Sequence, residues 1–127
     1  MLLTKNDFEI GQVVACKHVG NRARYNRGMT LGKVIRISSM YITVAFREDD
    51  TKGIKFTLEK SHERDYLIEK SNYSADYEMY PSEKSYLDHE EKEVKLSEIR
   101  ETVGAYSNKN DKLTIDQVRR IYDIIIE

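Results

Sequence analysis

Between Leu31 and Leu58 apolar and polar side chains alternate with a period of two, the spacing that puts successive side chains on opposite faces of a β-strand. Leu31-Gly32-Lys33-Val34-Ile35-Arg36-Ile37 and Met40-Tyr41-Ile42-Thr43-Val44-Ala45-Phe46 are β-branched and aromatic runs separated by Ser38-Ser39, which predicts a hairpin. Glu48 to Gly53 reads as a second turn, Ile54-Lys55-Phe56-Thr57-Leu58 as a third alternating strand, and Tyr66-Leu67-Ile68-Glu69 as a weaker fourth. Upstream, Phe8 to Cys16 reads as a lead-in and first strand, with Val13 and Ala15 on one face and Val14 and Cys16 on the other. Residues 19–30 carry Gly and Asn punctuation without periodicity and are expected to form a long loop. So many short strands at close spacing predict an antiparallel barrel, because closure removes the edges of a small sheet. Val34, Ile35, Ile42, Val44 and Phe56 are the expected core.

Pro81, the sole proline, marks a change of period. Ser82 is a candidate N-cap with Glu83 in the first turn, and residues 83–103 are rich in Glu, Lys and Leu. Leu96, Ile99, Val103 and Tyr106 recur at helical steps, and Gly104 is the expected stop. A polar loop over 107–111 leads to Thr114-Ile115-Asp116-Gln117, a capping box that opens a second helix with Val118, Ile121, Tyr122 and Ile125 on one side. The expected fold is therefore α+β. A small SH3-like antiparallel β-barrel of five or six strands lies within residues 1–80, and a tail of two C-terminal helices, residues 81–127, packs on it or extends from it.

A length of 127 residues allows one domain with appendages. Hydrophobic residues make up 39% and charged residues 34%, so nine Tyr and three Phe must supply much of the apolar mass of a modest core. No segment has the run of apolar residues that a membrane helix needs, and the first residues lack the pattern of a signal peptide. One cysteine, Cys16, forbids an internal disulfide, which fits a reducing cytoplasm. The net charge of −1 conceals a polarity: residues 1–60 carry +5 and residues 61–127 carry −6. From Cys16 to Arg36 there are six Lys or Arg and no acid. Such separation bears on partners and association rates rather than on fold, and it makes a homodimer electrostatically plausible.

Three constellations follow. Lys17, Arg22, Arg24, Tyr25, Arg27 and Arg36, with His18 among them, combine guanidinium forks for phosphate or carboxylate with a ring that can stack. They are the expected partner-binding residues. The bland reading is a solvated loop paired with the molecule's own acids. Asp88, Glu90, Glu91 and Glu93 form an alternative acidic surface that could imitate a phosphate backbone, or simply the wet face of an amphipathic helix. Tyr66, Tyr73, Tyr77, Tyr80 and Tyr86 span the barrel–helix junction and are expected to stitch it together. Cys16 and His18 are two apart, and His62 and His89 are isolated, so the spacing points to no metal site. No phosphate loop or nucleophile motif is present, hence no catalytic residues and no cofactor are expected. Cys16 is expected to be a buried small hydrophobe.

Gly11-Gln12-Val13-Val14, Gly20 to Tyr25, Gly32-Lys33-Val34-Ile35 and Tyr41 to Val44 resemble small β-barrel-domain proteins of phages and prophages of Gram-positive bacteria. The stretches from Tyr73 to Tyr80 and from Leu113 to Ile121 extend the resemblance over roughly residues 8–125. The resemblance implies a mobile-element setting and no active-site signature. The expectation drawn from it is a non-catalytic accessory protein, cytoplasmic in the bacterial host. It would bind and modulate or inhibit a host protein, such as a nucleic-acid-handling defence enzyme. The alternative is a barrel that binds nucleic acid directly through the basic loop 17–27.

Overall fold

A computed structural model of the chain describes residues 3–59, 64–107 and 114–127, with the side chains of 103 and 105–107 outside that description. The alternating runs become strands β1 (Val13–His18), β2 (Met29–Ile37), β3 (Tyr41–Ala45), β4 (Ile54–Thr57), β5 (Leu67–Glu69) and β6 (Tyr77–Tyr80). Each pairs antiparallel with the next, and β6 returns to β1, so the sheet is a closed six-stranded barrel. Two helices follow, α2 (Glu83–Ser107) and α3 (Ile115–Ile125). This is the expected α+β architecture, and it is compatible with the SH3-like expectation.

Closure depends on a strand hidden in the tyrosine-rich junction. Tyr77-Glu78-Met79-Tyr80 pairs Tyr80 with Ala15 and Tyr77 with His18, and Tyr77 and Met79 join the core. The core is filled from every strand: Val14 and Cys16, Val34, Ile42 and Val44, Phe56, Leu67, Tyr77 and Met79. Leu3 and Phe8 from the N-terminal segment complete it. Burying each large member is worth about 1.5–3 kcal/mol relative to exposure. Of the five expected core residues, four are fully enclosed. Ile35 is only half-buried, because the register steps from Val34↔Val44 directly to Arg36↔Thr43 and leaves Ile35 as the extra residue of a β-bulge.

Two expectations need correction. Within the segment expected to be a loop, Gly20–Tyr25 forms a short helix, α1, closed by Ala23 N–H to Val19 O at 3.3 Å and Asn26 N–H to Arg22 O at 3.1 Å. One turn is too short to leave a periodicity in the sequence. Gly104 does not stop α2, which runs on to Ser107. A glycine inside a helix costs only about 1 kcal/mol, which the long upstream run of Glu, Lys, Leu and Arg can carry. The polar loop expected over 107–111 lies outside the described residues from 108 on, as do the side chains of Val103 and Tyr106.

By contacts the chain divides into Met1–His89 and Glu90–Glu127. In the first unit, Ser82 Oγ accepts from Ser85 N–H at 3.0 Å and starts α2 as a cap. The buried Tyr80 ring meets Tyr66 at 5.2 Å, Tyr86 at 5.6 Å and His89 at 5.2 Å, so four rings stitch the first turns of α2 to β6. In the second unit, α3 opens with the full capping box: Thr114 Oγ1 accepts from Gln117 N–H, and Gln117 Oε1 from Thr114 N–H. Its apolar residues Ile115, Val118, Ile121, Tyr122 and Ile125 are exposed.

Candidate functional site

Antiparallel order brings the end of β1, the start of β2 and the start of β6 to one rim of the barrel, and α1 is mounted there. His18 organises the connection. Its buried ring donates through Nδ1–H to Asn26 O at 2.6 Å, and Nε2 lies 2.7 Å from Thr30 Oγ1, which donates to it in the neutral tautomer. With His18 N–H donating to Gly28 O at 2.9 Å, the returning chain is clamped against β1. His18 is therefore a structural clamp rather than a contact residue.

On the other side, Val19 N–H donates to Asp76 O at 2.9 Å. Gly20 opens α1 with φ +56°, and a Cβ there would lie 2.6 Å from Ala75 O. Only glycine permits this approach. As a result α1 and the 70–76 turn lie side by side. That turn is shaped by Ser71, whose Oγ accepts from Tyr73 N–H and donates to Ser74 O.

The predicted partner-binding residues divide between two places. Arg22, Arg24 and Tyr25 stand exposed on α1, Arg27 is exposed just after it, and half-buried Lys17 lies in β1 between Met29 and Glu78. The Arg22 guanidinium rests 5.5 Å from the centre of the Tyr77 ring. Burial pushes the Tyr77 phenol above its ordinary pKa, and Arg22 opposes that shift. Among the described residues, neither Arg24 nor Arg27 makes an ion pair. Arg36 is elsewhere: its guanidinium donates to Thr51 O at 2.9 Å and Lys52 O at 2.6 Å, bracing the β3–β4 turn.

One of the rings expected to stitch the junction does not do so. Tyr73 is 96% exposed and Tyr25 is 91% exposed, on the two adjoining elements. Large aromatic rings left this bare bury nothing in the fold. The available signal was the polar surround Ser71-Asn72-Tyr73-Ser74, which gives the ring no apolar neighbours.

The alternative acidic surface is largely occupied by its own helix. Asp88 pairs with Lys84 at 2.9 Å and Glu91 with Lys95 at 2.6 Å, both at i,i+4, and Glu90 and Glu93 are engaged as well. Glu91 holds the Lys95 ammonium above its ordinary pKa. Exposed i,i+4 pairs of this kind support a helix only weakly against solvent screening, which is the bland reading of that run.

Cys16 is fully buried, and desolvation, helped by Glu69, pushes its thiol from 9.0 up to about 12. It is a packed hydrophobe with no thiolate character at neutral pH. No group of three or more His, Cys, Asp or Glu among the described residues could hold a metal ion. None of the described helices is long and apolar enough to cross a membrane.

What this rim offers is therefore stacking and charge: two bare rings, three guanidinium groups and no acid on α1 itself. No curated protein and no solved structure matches the chain. A family model does match, over residues 1–127, that of the phage ProQ C-terminal-like domain. The sequence resemblance to phage barrel proteins thus resolves into a phage-associated family, and this chain belongs to the phage ProQ C-terminal-like domain family.

Proposed function

We propose that this chain is a non-catalytic binding module of a phage-associated protein that takes single-stranded nucleic acid across α1 and the 71–76 turn. The observation that carries the reading is the pairing of bare Tyr25 and Tyr73 with the guanidinium groups of Arg22, Arg24 and Arg27. Every base has a π-face, and stacking on a protein ring is worth about 1–3 kcal/mol per base. Guanidinium forks meet phosphate bidentately, and each contact releases counterions. A net charge of −1 keeps general attraction to polyanions weak, so recognition falls to this local surface.

Fluorescence anisotropy with a labelled oligonucleotide over a salt series tests it. Three phosphate contacts on a single strand give a slope of log affinity against log salt of about −2. Reversing Arg22, Arg24 and Arg27 to Glu together should weaken binding at least tenfold, roughly 1.4 kcal/mol, and flatten that slope. Tyr25→Ala and Tyr73→Ala should each weaken it with the slope unchanged. Salt-independent binding indifferent to all five side chains would remove the site.

A second reading is modulation of a host protein, such as a nucleic-acid-handling defence enzyme. It is favoured by the exposed apolar residues of α3, which suit a protein surface rather than a phosphate backbone. Capture of a host protein that survives nuclease treatment and the arginine reversal, but fails when Val118 and Tyr122 become Ser, would favour it.

A further inference from the structure

A second group of cations, on a different wall of the barrel, is arranged in a way that folding alone does not call for. The register Phe56↔Glu69 and Thr57↔Ile68 sets Lys55 directly opposite Lys70, whose N–H donates to Lys55 O at 2.8 Å. Like charges directly across a ladder repel and weaken a sheet. Both ammonium groups gather on one ring: Lys70 Nζ lies 4.8 Å and Lys55 Nζ 5.5 Å from the centre of Tyr41. The ring relieves part of the repulsion through cation–π attraction and fixes both heads on the same side of the sheet.

Beside them opens a groove of about 540 Å³ lined by Arg36, Thr51, Lys52, Lys55, Glu69 and Lys70, among others. Arg36 is tethered through two N–H groups to Thr51 O and Lys52 O, which leaves donors of its five free for a ligand. Four cations thus face one acid, and Glu69 already accepts from Asp76 N–H at 2.8 Å. Asp50, in the neighbouring turn, is taken up by the N–H groups of Lys52 and Gly53.

We infer that this groove over β4 and β5 is an oxyanion site that takes phosphate groups between Arg36, Lys52, Lys55 and Lys70, separate from the rim at α1. A phosphate would settle between the paired ammonium heads, cancel their mutual repulsion and receive the tethered guanidinium. The chemistry is shared by a phosphodiester backbone and by free polyphosphate. It does not depend on the α1 surface.

The test is an amide chemical-shift titration of the full chain with tripolyphosphate and, separately, with a short single-stranded oligonucleotide. Saturable shifts should centre on residues 52–55 and 70 with tripolyphosphate, and should appear there with the oligonucleotide in addition to any at the α1 rim. Lys55→Gln with Lys70→Gln should weaken tripolyphosphate binding roughly tenfold. The same pair should raise the melting temperature without anion, because it removes the like-charge pair. Lys55→Arg with Lys70→Arg should retain binding, and Arg24→Glu with Arg27→Glu should leave tripolyphosphate affinity unchanged. A response there to tripolyphosphate alone identifies free polyphosphate as the ligand class, and one there to the oligonucleotide alone identifies the phosphodiester backbone. A response to neither at residues 52–55 and 70, tripolyphosphate shifts confined to residues 20–27, or full tripolyphosphate affinity in the glutamine pair overturns the site. If the glutamine pair unfolds, Lys52→Gln in the exposed turn carries the test: reduced affinity upholds the site, unchanged affinity overturns it.

Discussion

Gly20→Ala is the sharpest probe of how the α1 rim is built. Two costs add at that position. An alanine must adopt φ +56°, in the left-handed region, at about 1–2 kcal/mol. Its Cβ must also come no closer than ordinary contact to Ala75 O, which sits 2.6 Å from where that Cβ would be built. The obstacle is backbone, so it cannot rotate away. Either α1 or the 70–76 turn has to retreat, straining the adjacent bond from Val19 N–H to Asp76 O, worth about 1 kcal/mol. The expected loss is about 2–3 kcal/mol. Gly11→Ala is the internal control, since Gly11 has φ +87° but nothing within 4 Å of a Cβ, so only the conformational cost applies. Urea unfolding followed by circular dichroism should place Gly20→Ala about 1 kcal/mol or more below Gly11→Ala at equal m-value. Oligonucleotide affinity should fall in Gly20→Ala and hold in Gly11→Ala. Two variants of equal stability would refute the argument that contact with the 70–76 turn positions α1.

Val44→Ala removes two methyl groups from a fully enclosed site and should cost about 1–3 kcal/mol; a loss below about 0.5 kcal/mol in urea unfolding would show that β3 is not central. Ser82→Ala should cost about 1 kcal/mol by leaving Ser85 N–H without its cap, visible as lost helicity and a lower melting temperature. Cys16 gives a pH signature. Its thiol holds its proton to about pH 12 in the folded barrel but ionises near 9.0 once released. Above pH 9 the unfolded chain therefore binds fewer protons than the folded one, and stability must fall as pH rises from 9 to 12. The stability advantage of wild type over Cys16→Ala should shrink across that window by on the order of 4 kcal/mol, and parallel stability curves would refute the buried, protonated thiol.

The strands that carry three or more alternating apolar residues were legible, because their period is imposed by the core they enclose. β6 was not, since Tyr77-Glu78-Met79-Tyr80 is four residues long and its aromatic ends read equally as linker. What makes it a strand is non-local, the open side of β1. α1 and the bulge at Ile35 escaped for the same reason: one turn of helix and one extra residue leave no periodic trace. Of the rim, the cations of the acid-free stretch were legible, whereas Arg36 fell with them in sequence but not in space, because β2 carries it away from α1 to the β3–β4 turn. Tyr73 left only the faint signal of its polar neighbours, and the Lys55–Lys70 pair left none, since exposure and cross-strand register belong to the fold.

The pairing of β1 with β6 also orders events during synthesis. About sixty residues separate the two strands, so β1 emerges from a ribosome some 3–12 s before its last partner at 5–20 residues per second. Until then β1 can pair with β2 alone, and its other side is an unpaired row of N–H and C=O groups. Docking of β6 is a high-contact-order step that makes the whole domain wait for Tyr80. A nascent or truncated chain ending before Tyr77 would hold that row open and seek a strand from another molecule. Termination upstream of Tyr77 is therefore more harmful than loss of the entire second unit, which leaves all six strands in place.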